Sequence, residues 1–322
     1  MIKEINKLLG KAGFQIKKNI ALESEKVYYR NTIKCLEDLY NYRCTQFKLN
    51  LNEQIIGIVF SKNRAMQLHA LISSYFYYTE NVAPLKVIFT TDNEQHKKSY
   101  QILKEEFSTL AVEFICENDF KAQLKSIVQK TEADRIFFMT DDAIFLDEYN
   151  LSNVLKFNPL KTIFSLRLGK NINFSFTHNK VQGLPKFKSL ILNSQILYEW
   201  IWKNMSNSPD WYYPLSVDAN IFSKNEIDII IKYIDFNNPN TFEASLQIFI
   251  NVFLPRKGVC YENAKYVNIP CNIVQNDFEN IYTGTFSVSE LLKLFLEGKR
   301  INWKLYKGID AISIQKSKYD FI

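Results

Sequence analysis

The chain has 322 residues, of which 47% are hydrophobic and 15% aromatic, so it can bury a large core and is not intrinsically disordered. Its formal net charge of +6, from 40 Lys and Arg against 34 Asp and Glu, is too small and too dispersed for a nucleic-acid-binding protein. An excess of this size suits an anionic small ligand or an anionic membrane surface. The cysteines lack CxxC spacing and are odd in number, which argues against a zinc site or a disulfide framework and indicates a reducing compartment: Cys35, Cys44, Cys116, Cys260 and Cys271.

Residues 1–18 form a basic, amphipathic segment. Apolar residues recur at three- and four-residue steps from Ile2 to Ala12, among lysines that outnumber the single glutamate. The segment has no continuous apolar stretch, so it is not a secretory signal, and no run in the chain approaches the roughly 18 residues of a membrane span. Two interpretations remain open, a helix lying on anionic lipid and a helix packed on the rest of the chain. We therefore expect a cytoplasmic protein and, under the first interpretation, one that is peripheral on the inner face of the membrane.

From residue 54 onwards, short apolar runs alternate with amphipathic stretches. Strands are predicted at residues 54–60, 85–91, 111–116 and 134–140. Helices are predicted after the first strand, with Ser61 or Asn63 as the N-cap, and then at 94–107 and 119–130. Such alternation implies an α/β fold with a mostly parallel, Rossmann-like sheet flanked by helices, and it places ligands at the carboxyl ends of the strands.

The second half of the chain is less regular. Strands are predicted at 162–169 and 215–222, and helices at 225–234, 241–253 and 288–298, whereas residues 170–215 are aromatic and irregular. No Gly/Ser-rich or Pro-rich linker and no internal repeat divides the chain. We expect one α/β unit with an elaborated C-terminal half.

The sequence lacks the two common glycine-rich cradles for phosphate, GxGxxG and GxxxxGK[ST]. A nucleotide bound at this sheet would need a metal or basic side chains to neutralise its phosphates. FFMTDDAIF (137–145) places Asp141 and Asp142 at the tip of a buried strand, where carboxylates can hold Mg²⁺ or Mn²⁺ together with phosphate oxygens. An acidic pair that only opens a turn is the alternative.

Several segments, in this order, resemble glycosyltransferases of the GT-A fold. The segment at 55–75 is similar to their first strand and nucleotide loop, and FFMTDDAIF is similar to their Asp-x-Asp region. Further stretches resemble family-two-like bacterial transferases of polysaccharide (capsule or O-antigen) biosynthesis: FSKNRAMQL, FSLRLGKN, YPLSVDANIF, NPNTFEA and NIPCNIVQ. The resemblance covers about residues 54–300.

The resemblance implies a transferase that moves a sugar from a nucleotide-diphosphate donor to a glycan or lipid-linked acceptor, with Mn²⁺ or Mg²⁺ as cofactor. It divides the chain into an N-terminal helical and basic segment (1–50), a nucleotide-binding half (51–145) and an acceptor-binding half with the C-terminal helices (146–322). Thr140 stands where many relatives carry the first Asp, which makes Asp142 a better metal ligand than Asp141. The implied nucleotide-binding residues are Phe60, Ser61, Asn63, Arg64, Asp92, Lys121 and Asp141.

Two of these residues also have structural explanations. Asp92 also suits a cap of the following helix. Lys121 and Lys125 are one helical turn apart and also suit a solvated helix face.

Glu243 and Asp218 are the candidates for a catalytic base, and Glu243 is preferred because NPNTFEA predicts that it lies in the first turn of a helix, where the dipole favours an ionised carboxylate. For the acceptor, Trp211 is the preferred surface ring and His178 a candidate ligand of a sugar hydroxyl, while Trp200 or Trp202 is expected in the core. Two other functions fit a similar sheet. A sugar nucleotidyltransferase would need a glycine-rich loop that SKNRAMQ lacks, and a glycan-binding protein would keep the fold without turnover.

Overall fold

The structure is a computed structural model that describes residues 25–46, 53–270, 272, 286–308 and 320–322. The basic segment 1–18, Cys271 and the residues just after Asn272 lie outside the described part of the chain. Nothing in the structure therefore tests the predicted role of the N-terminal segment.

Eight helices are described. Helix α1 occupies residues 25–45. The others are α2 (Ala65–Tyr78), α3 (Glu94–Glu106), α4 (Phe120–Lys130), α5 (Lys224–Tyr233), α6 (Pro239–Leu246), α7 (Ile250–Phe253) and α8 (Val288–Leu296).

The described strands are β1 (Ile55–Lys62), β2 (Thr79–Glu80), β3 (Leu85–Thr90), β4 (Val112–Cys116), β5 (Arg135–Thr140), β6 (Ala143–Phe145), β7 (Tyr149–Asn150), β8 (Thr162–Ser165), β9 (Phe174–Ser175), β10 (Lys180–Val181), β11 (Lys188–Leu192), β12 (Gln195–Ile201), β13 (Asn220–Ser223), β14 (Lys257–Tyr261) and β15 (Tyr266–Asn268). Strands β1, β3, β4 and β5 match the four strands predicted for the first half closely, and α3 and α4 match the predicted helices.

Nine strands form one sheet in the order β11-β12-β14-β8-β13-β5-β1-β3-β4. The pairings make seven of them run in one direction, and only β12 and β13 run against it. The predicted α/β class, a Rossmann-like and mostly parallel sheet with an elaborated second half, is confirmed. Strand β13 lies between β8 and β5, so the two halves of the chain meet in the middle of one sheet.

Helices cover both faces of this sheet. Side chains of β1 alternate between the two sides: Val59 belongs to one core cluster, together with residues of α2, α3 and α8, whereas Ile58 belongs to a second cluster, together with residues of α1, α4, α5 and α6. A strand that is buried on both faces has to be apolar throughout, which explains the continuous run IIGIVF. The two core layers hold the strands rigidly and fix where their carboxyl ends lie.

The helices differ from the sequence prediction in three places. Helix α2 has no side-chain cap and follows Arg64, so the prediction of a cap at Ser61 or Asn63 is wrong. Asn93 caps α3 by accepting from the backbone N–H of His96, which leaves Asp92 outside the cap. The helix predicted at 241–253 is divided into α6, a 3₁₀ turn and α7.

Helix α1 docks on the second half of the chain. Cys35 and Leu39 are buried, and Arg43 donates to Glu226 of α5 over 2.7 Å. Glu226 is itself fully buried and accepts from both terminal nitrogens of Arg256, at 2.6 and 2.8 Å. Removing one partner from a buried ion pair leaves an uncompensated charge, so this cluster fixes α1 to the domain.

Candidate active site

The carboxyl ends of β1 and β5 meet at one edge of the sheet. Strand β1 pairs with β5 in parallel, with Phe60 opposite Thr140. The residues that follow come together: Ser61 Oγ donates to Asp141 Oδ2 over 2.7 Å, and the Lys62 backbone N–H donates to the same oxygen over 3.1 Å. Ser61 also shares a 2.5 Å hydrogen bond with the buried hydroxyl of Tyr100. Asp141 therefore ties the carboxyl end of β1 to the tip of β5.

Arg64 bridges the acidic pair. Its Nη1 lies 3.1 Å from Asp141 Oδ1 and 2.9 Å from Asp142 Oδ2. Its Nε donates to Asn272 Oδ1 over 2.9 Å, and Nη2 donates to the Asn272 carbonyl. Burial raises the pKa of Asp141 to about 6, against the opposing effect of Arg64. One guanidinium thus links the turn after β1, the tip of β5 and the chain beyond β15.

The two aspartates differ in what remains free to bind a ligand. Both oxygens of Asp141 are hydrogen-bonded and its side chain is 5% exposed, whereas Asp142 is 14% exposed. Within the described residues no hydrogen bond reaches Asp142 Oδ1, and no group of three or more His, Cys, Asp or Glu side chains is placed to hold a metal ion. The side chains present fit a cation that takes one protein oxygen, from Asp142, and completes its shell with phosphate and water. They do not fit a cage made of protein ligands.

Asp218 lies beside this pair because β13 runs antiparallel to β5. Ala219 adopts a left-handed φ of 52° just before β13, and its N–H donates to the Phe138 carbonyl over 2.8 Å. Asp218 Oδ1 accepts from Thr140, Tyr266 and Asn268 at 3.1 to 3.3 Å. Burial raises the pKa of Asp218, Arg167 opposes that rise, and the charge of Asp142 adds to it. The three donors hold this carboxylate in one orientation.

Glu243 approaches from α6. Asn238 and Thr241 form a capping box at the start of that helix, with Pro239 as its first residue, so Glu243 lies in the second turn and not in the first. Its Oε1 accepts from the backbone N–H of Val217 over 3.1 Å. Burial, and then the neighbouring charge of Asp218, raise its pKa to about 7. The expectation that the helix end would favour the ionised form is therefore wrong, because burial outweighs it.

Arg167 lies at the other end of this group of carboxylates, and the sequence analysis did not single it out. Its side chain is buried, with Nη1 2.9 Å from Ser216 Oγ and 3.8 Å from Asp218 Oδ2. The guanidinium also lies over the ring of Tyr213. A buried arginine in an apolar strand-like run, as in FSLRLG, is unusual enough to have signalled a polar site.

Asn63 and Asp92 pair at the ends of β1 and β3. Asn63 Nδ2 donates to Asp92 Oδ2 over 2.7 Å, and the Asp92 N–H donates to Asn63 Oδ1 over 3.0 Å. Asn63 has a φ of 55°, which directs the chain sharply into α2. The structure thus brings together two of the residues predicted to contact a base or a ribose.

Four predicted site residues lie elsewhere or have other partners. The ring of Phe60 is buried against Phe120 and Phe138, so the prediction that it lines a nucleotide pocket is wrong. Trp211 is fully buried and donates to the Ile172 carbonyl over 2.9 Å, so it is not a surface ring. Trp200 and Trp202 are buried with it, as expected for the core.

The remaining two are exposed. Lys121, on α4, pairs with Asp235 over 2.7 Å. An exposed ion pair of this kind is weak, so the contact of Lys121 with a phosphate stays a prediction. His178 is exposed between β9 and β10, where Nδ1 lies 3.3 Å from Ser175 Oγ. Its role toward an acceptor also stays a prediction.

The sequence is similar to one curated glycosyltransferase over most of its length. It is 32% identical over 282 residues to the bifunctional glycosyltransferase pgtA of Dictyostelium discoideum, an alignment that covers 78% of this chain and 36% of that protein. The chain therefore spans little more than a third of the length of this relative. No protein-family model matches the sequence.

Among solved structures, the chain is similar to TarS 1–349 of S. aureus. The complex with UDP is 15% identical, with a TM-score of 0.43 and coverage of 66% of this chain and 59% of that one. The complex with UDP-GlcNAc is 12% identical, with a TM-score of 0.41 and coverage of 73% and 61%. Scores this low say nothing further about this chain. The similarity that bears on its function is thus the sequence identity to pgtA.

Proposed function

We propose that the chain is a glycosyltransferase that moves a sugar from a nucleotide-diphosphate donor to an acceptor hydroxyl. The observation that carries the proposal is the row of carboxylates at the carboxyl edge of the sheet, Asp141, Asp142, Asp218 and Glu243, with Arg64 and Arg167 beside them. Ligands of parallel α/β sheets bind at this edge. The 32% identity to a glycosyltransferase supports the same reaction.

Glu243 is the proposed general base. A base works best when its pKa lies near the working pH, and the pKa of Glu243 is raised to about 7. In an inverting transfer the acceptor oxygen bonds to the anomeric carbon while the bond from that carbon to the diphosphate breaks. The hydroxyl proton passes to Glu243, and the nucleoside diphosphate leaves. Asp218 is the alternative base, but three donors already bind one of its oxygens.

A divalent cation, Mn²⁺ or Mg²⁺, would bind at Asp142 and neutralise the diphosphate as it leaves. Asp141 is assigned a different task, because Ser61 and Lys62 already bind it. Arg64, which contacts both aspartates, is proposed to bind an oxygen of the diphosphate. Asn63 and Asp92 are assigned to the base or ribose.

The acceptor is proposed to be a glycan or a lipid-linked sugar, as in the synthesis of cell-surface polysaccharide. The basis is the resemblance to polysaccharide transferases together with the basic N-terminal segment. Within the described residues, no helix is long and apolar enough to cross a membrane. A peripheral position on an anionic inner membrane face would bring such a protein to a lipid-linked acceptor.

The experiment compares Glu243→Gln and Asp218→Asn with the unaltered protein, using a panel of UDP-, GDP- and dTDP-sugars and a mixed glycan acceptor pool. Glu243→Gln should bind donor normally and lose transfer by about 100-fold or more, the usual contribution of a general base. Near-normal transfer in Glu243→Gln with an inactive Asp218→Asn would move the role of base to Asp218. If both variants remain active, a retaining reaction without a protein base is the better mechanism.

The same panel tests the reaction class. Release of pyrophosphate from a nucleoside triphosphate and a sugar phosphate would indicate a nucleotidyltransferase instead. Glycan binding with no affinity for any nucleotide would indicate a non-catalytic binding protein.

A further inference from the structure

Helix α1 has two apolar faces, and among the described residues only one of them is packed on the domain. The first face carries Cys35 and Leu39, which are buried on the domain, and Asp38, which accepts from Tyr233 of α5 over 2.6 Å. On the same side, Asn225 donates to the Tyr42 hydroxyl over 3.0 Å. The contacts on this face determine which side of α1 points to solvent.

The second face is an exposed stripe of large apolar residues. Tyr29, Ile33, Leu36 and Tyr40 have exposed fractions of 61%, 57%, 40% and 69%. At 100° per residue the stripe is centred about one third of a turn away from the docked face. Single exposed apolar side chains are ordinary, but four in one continuous stripe mark an interaction surface.

The spacing of the stripe is that of a coiled-coil seam. The steps from Tyr29 to Ile33, Leu36 and Tyr40 are four, three and four residues, the alternation of d and a positions in a heptad. A solitary helix packed on a globular surface would use a broader set of positions. The expected partner is therefore another helix.

Two charges beside the stripe determine which helix fits. Arg30 and Glu37 both occupy e positions, which flank the seam, and both are exposed. They are seven residues apart, about 10 Å along the axis, so they are not neighbours on their own helix. In an antiparallel pair of identical helices, e positions face e positions, and Arg30 of each copy meets Glu37 of the other. The apolar layers then match as well, with Tyr29 opposite Tyr40 and Ile33 opposite Leu36 in both directions.

We propose that α1 pairs with α1 of a second copy of this chain, antiparallel, about a two-fold axis that passes through the stripe between Ile33 and Leu36. A two-fold axis requires one surface that complements itself, and this stripe with its two opposite charges does so. A single pair of short helices buries less surface than a typical stable interface, so the dimer should be weak, with a dissociation constant on the order of micromolar. The pairing does not involve the carboxylate site and does not depend on the proposed function.

Sedimentation equilibrium of the full chain over about 1–200 µM tests the pairing and its orientation, a range set by the small interface. Arg30→Glu alone and Glu37→Arg alone should each weaken the dimer about tenfold, because each creates two like-charge contacts per dimer. The double variant Arg30→Glu/Glu37→Arg should restore the original dissociation constant.

Ile33→Asp should leave only monomer, with unchanged helix content by circular dichroism. Lys34→Glu, outside the seam, is the matched control.

Disulfide mapping gives an independent reading of the same pairing. In a background with Cys44, Cys116 and Cys271 replaced by serine, a mixture of Tyr29→Cys and Tyr40→Cys proteins should cross-link, and neither should cross-link with itself. A monomer at every concentration overturns the proposal and leaves the stripe to another occupant, such as residues 1–24 or a lipid surface. Self-cross-linking of Tyr29→Cys, or a dimer unaffected by Ile33→Asp, overturns it equally.

Discussion

At the scale of single residues, the carboxylates of the site are buried where the surroundings disfavour their ionised form. Burial raises the pKa of Asp141, Asp218 and Glu243, and the two arginines offset only part of that effect. Glu243 accepts from the Val217 N–H and interacts with Ser216 and Arg167, but burial and the charge of Asp218 outweigh these contacts. Side chains that destabilise the fold in this way are common where function selects them.

This destabilisation should depend on pH at Glu243. The pKa rises from 4.5 to about 7 in the folded state, so the folded protein binds this proton more tightly than the unfolded chain does. The contribution to stability is then full below about pH 4.5 and is lost as the pH rises through about 7. A Glu243→Gln variant carries no such proton and should escape the loss. Relative to the variant, the free energy of unfolding of the unaltered protein should fall by about 1–2 kcal/mol between pH 5 and pH 8. This is less than the full pKa shift would give, because the side chain is partly exposed and its titration is coupled to that of Asp218.

Urea unfolding of both proteins at pH 5 and pH 8 measures the difference. The titrations of the other carboxylates are present in both proteins and largely cancel. Parallel pH dependences in the two proteins would show that Glu243 titrates normally, and the argument for it as a base near neutral pH would lose its support.

At the scale of elements, the carboxyl end of β1 and the tip of β5 form one unit. Asp141 joins them through Ser61 and the Lys62 N–H, whereas Asp142 makes only one side-chain contact, to Arg64, among the described residues. We expect these adjacent aspartates to have separate tasks, a structural one for Asp141 and the binding of a ligand for Asp142.

Alanine variants should separate these tasks. Asp142→Ala should abolish Mn²⁺-dependent binding of a nucleoside diphosphate and leave the melting temperature within a few degrees of the unaltered protein. Asp141→Ala should lower the free energy of unfolding by about 1–3 kcal/mol, because the buried Ser61 hydroxyl and Lys62 N–H lose their acceptor. Calorimetry with and without Mn²⁺ and thermal unfolding measure the two effects, with the exposed Glu105→Ala as control. Unchanged Mn²⁺-dependent affinity in Asp142→Ala would remove the metal from this site.

The sequence predicted the elements of the first half well because β1, β3 and β5 are buried on both faces and the helices are amphipathic, so hydrophobic spacing defines them. It predicted helix caps poorly: α2 begins at a strained turn, with Asn63 in the left-handed region, and needs no side-chain cap. Trp211 was placed wrongly because the aromatic run gives no sign that Trp200 and Phe187 pack around it. The contacts of Arg64 and Arg167 with their carboxylates join residues far apart in the chain, which spacing cannot indicate.

At the scale of the whole molecule, the site is built at the junction of the two halves. Asp141 and Asp142 come from the first half and Asp218 and Glu243 from the second, and β13 brings them together by pairing with β5. A donor held by the first half would then face a base from the second. The predicted boundary near residue 145 stays a prediction about function, since the single sheet continues across it.

The net charge of +6 is dispersed, but residues 1–18 carry five lysines against one glutamate. A basic amphipathic segment binds anionic lipid through apolar burial and through attraction of about 1 kcal/mol per basic residue near the surface. Deleting residues 1–18 should therefore reduce binding to phosphatidylserine-containing vesicles at least tenfold at low salt, with little change on neutral vesicles.

Donor-sugar hydrolysis should persist, because the segment precedes β1 and every proposed site residue. Vesicle flotation of the full-length and truncated proteins at 20 mM and 300 mM salt makes the comparison, since screening should weaken only the electrostatic part. Equal flotation at low salt would contradict the membrane assignment and favour a segment packed on the rest of the chain.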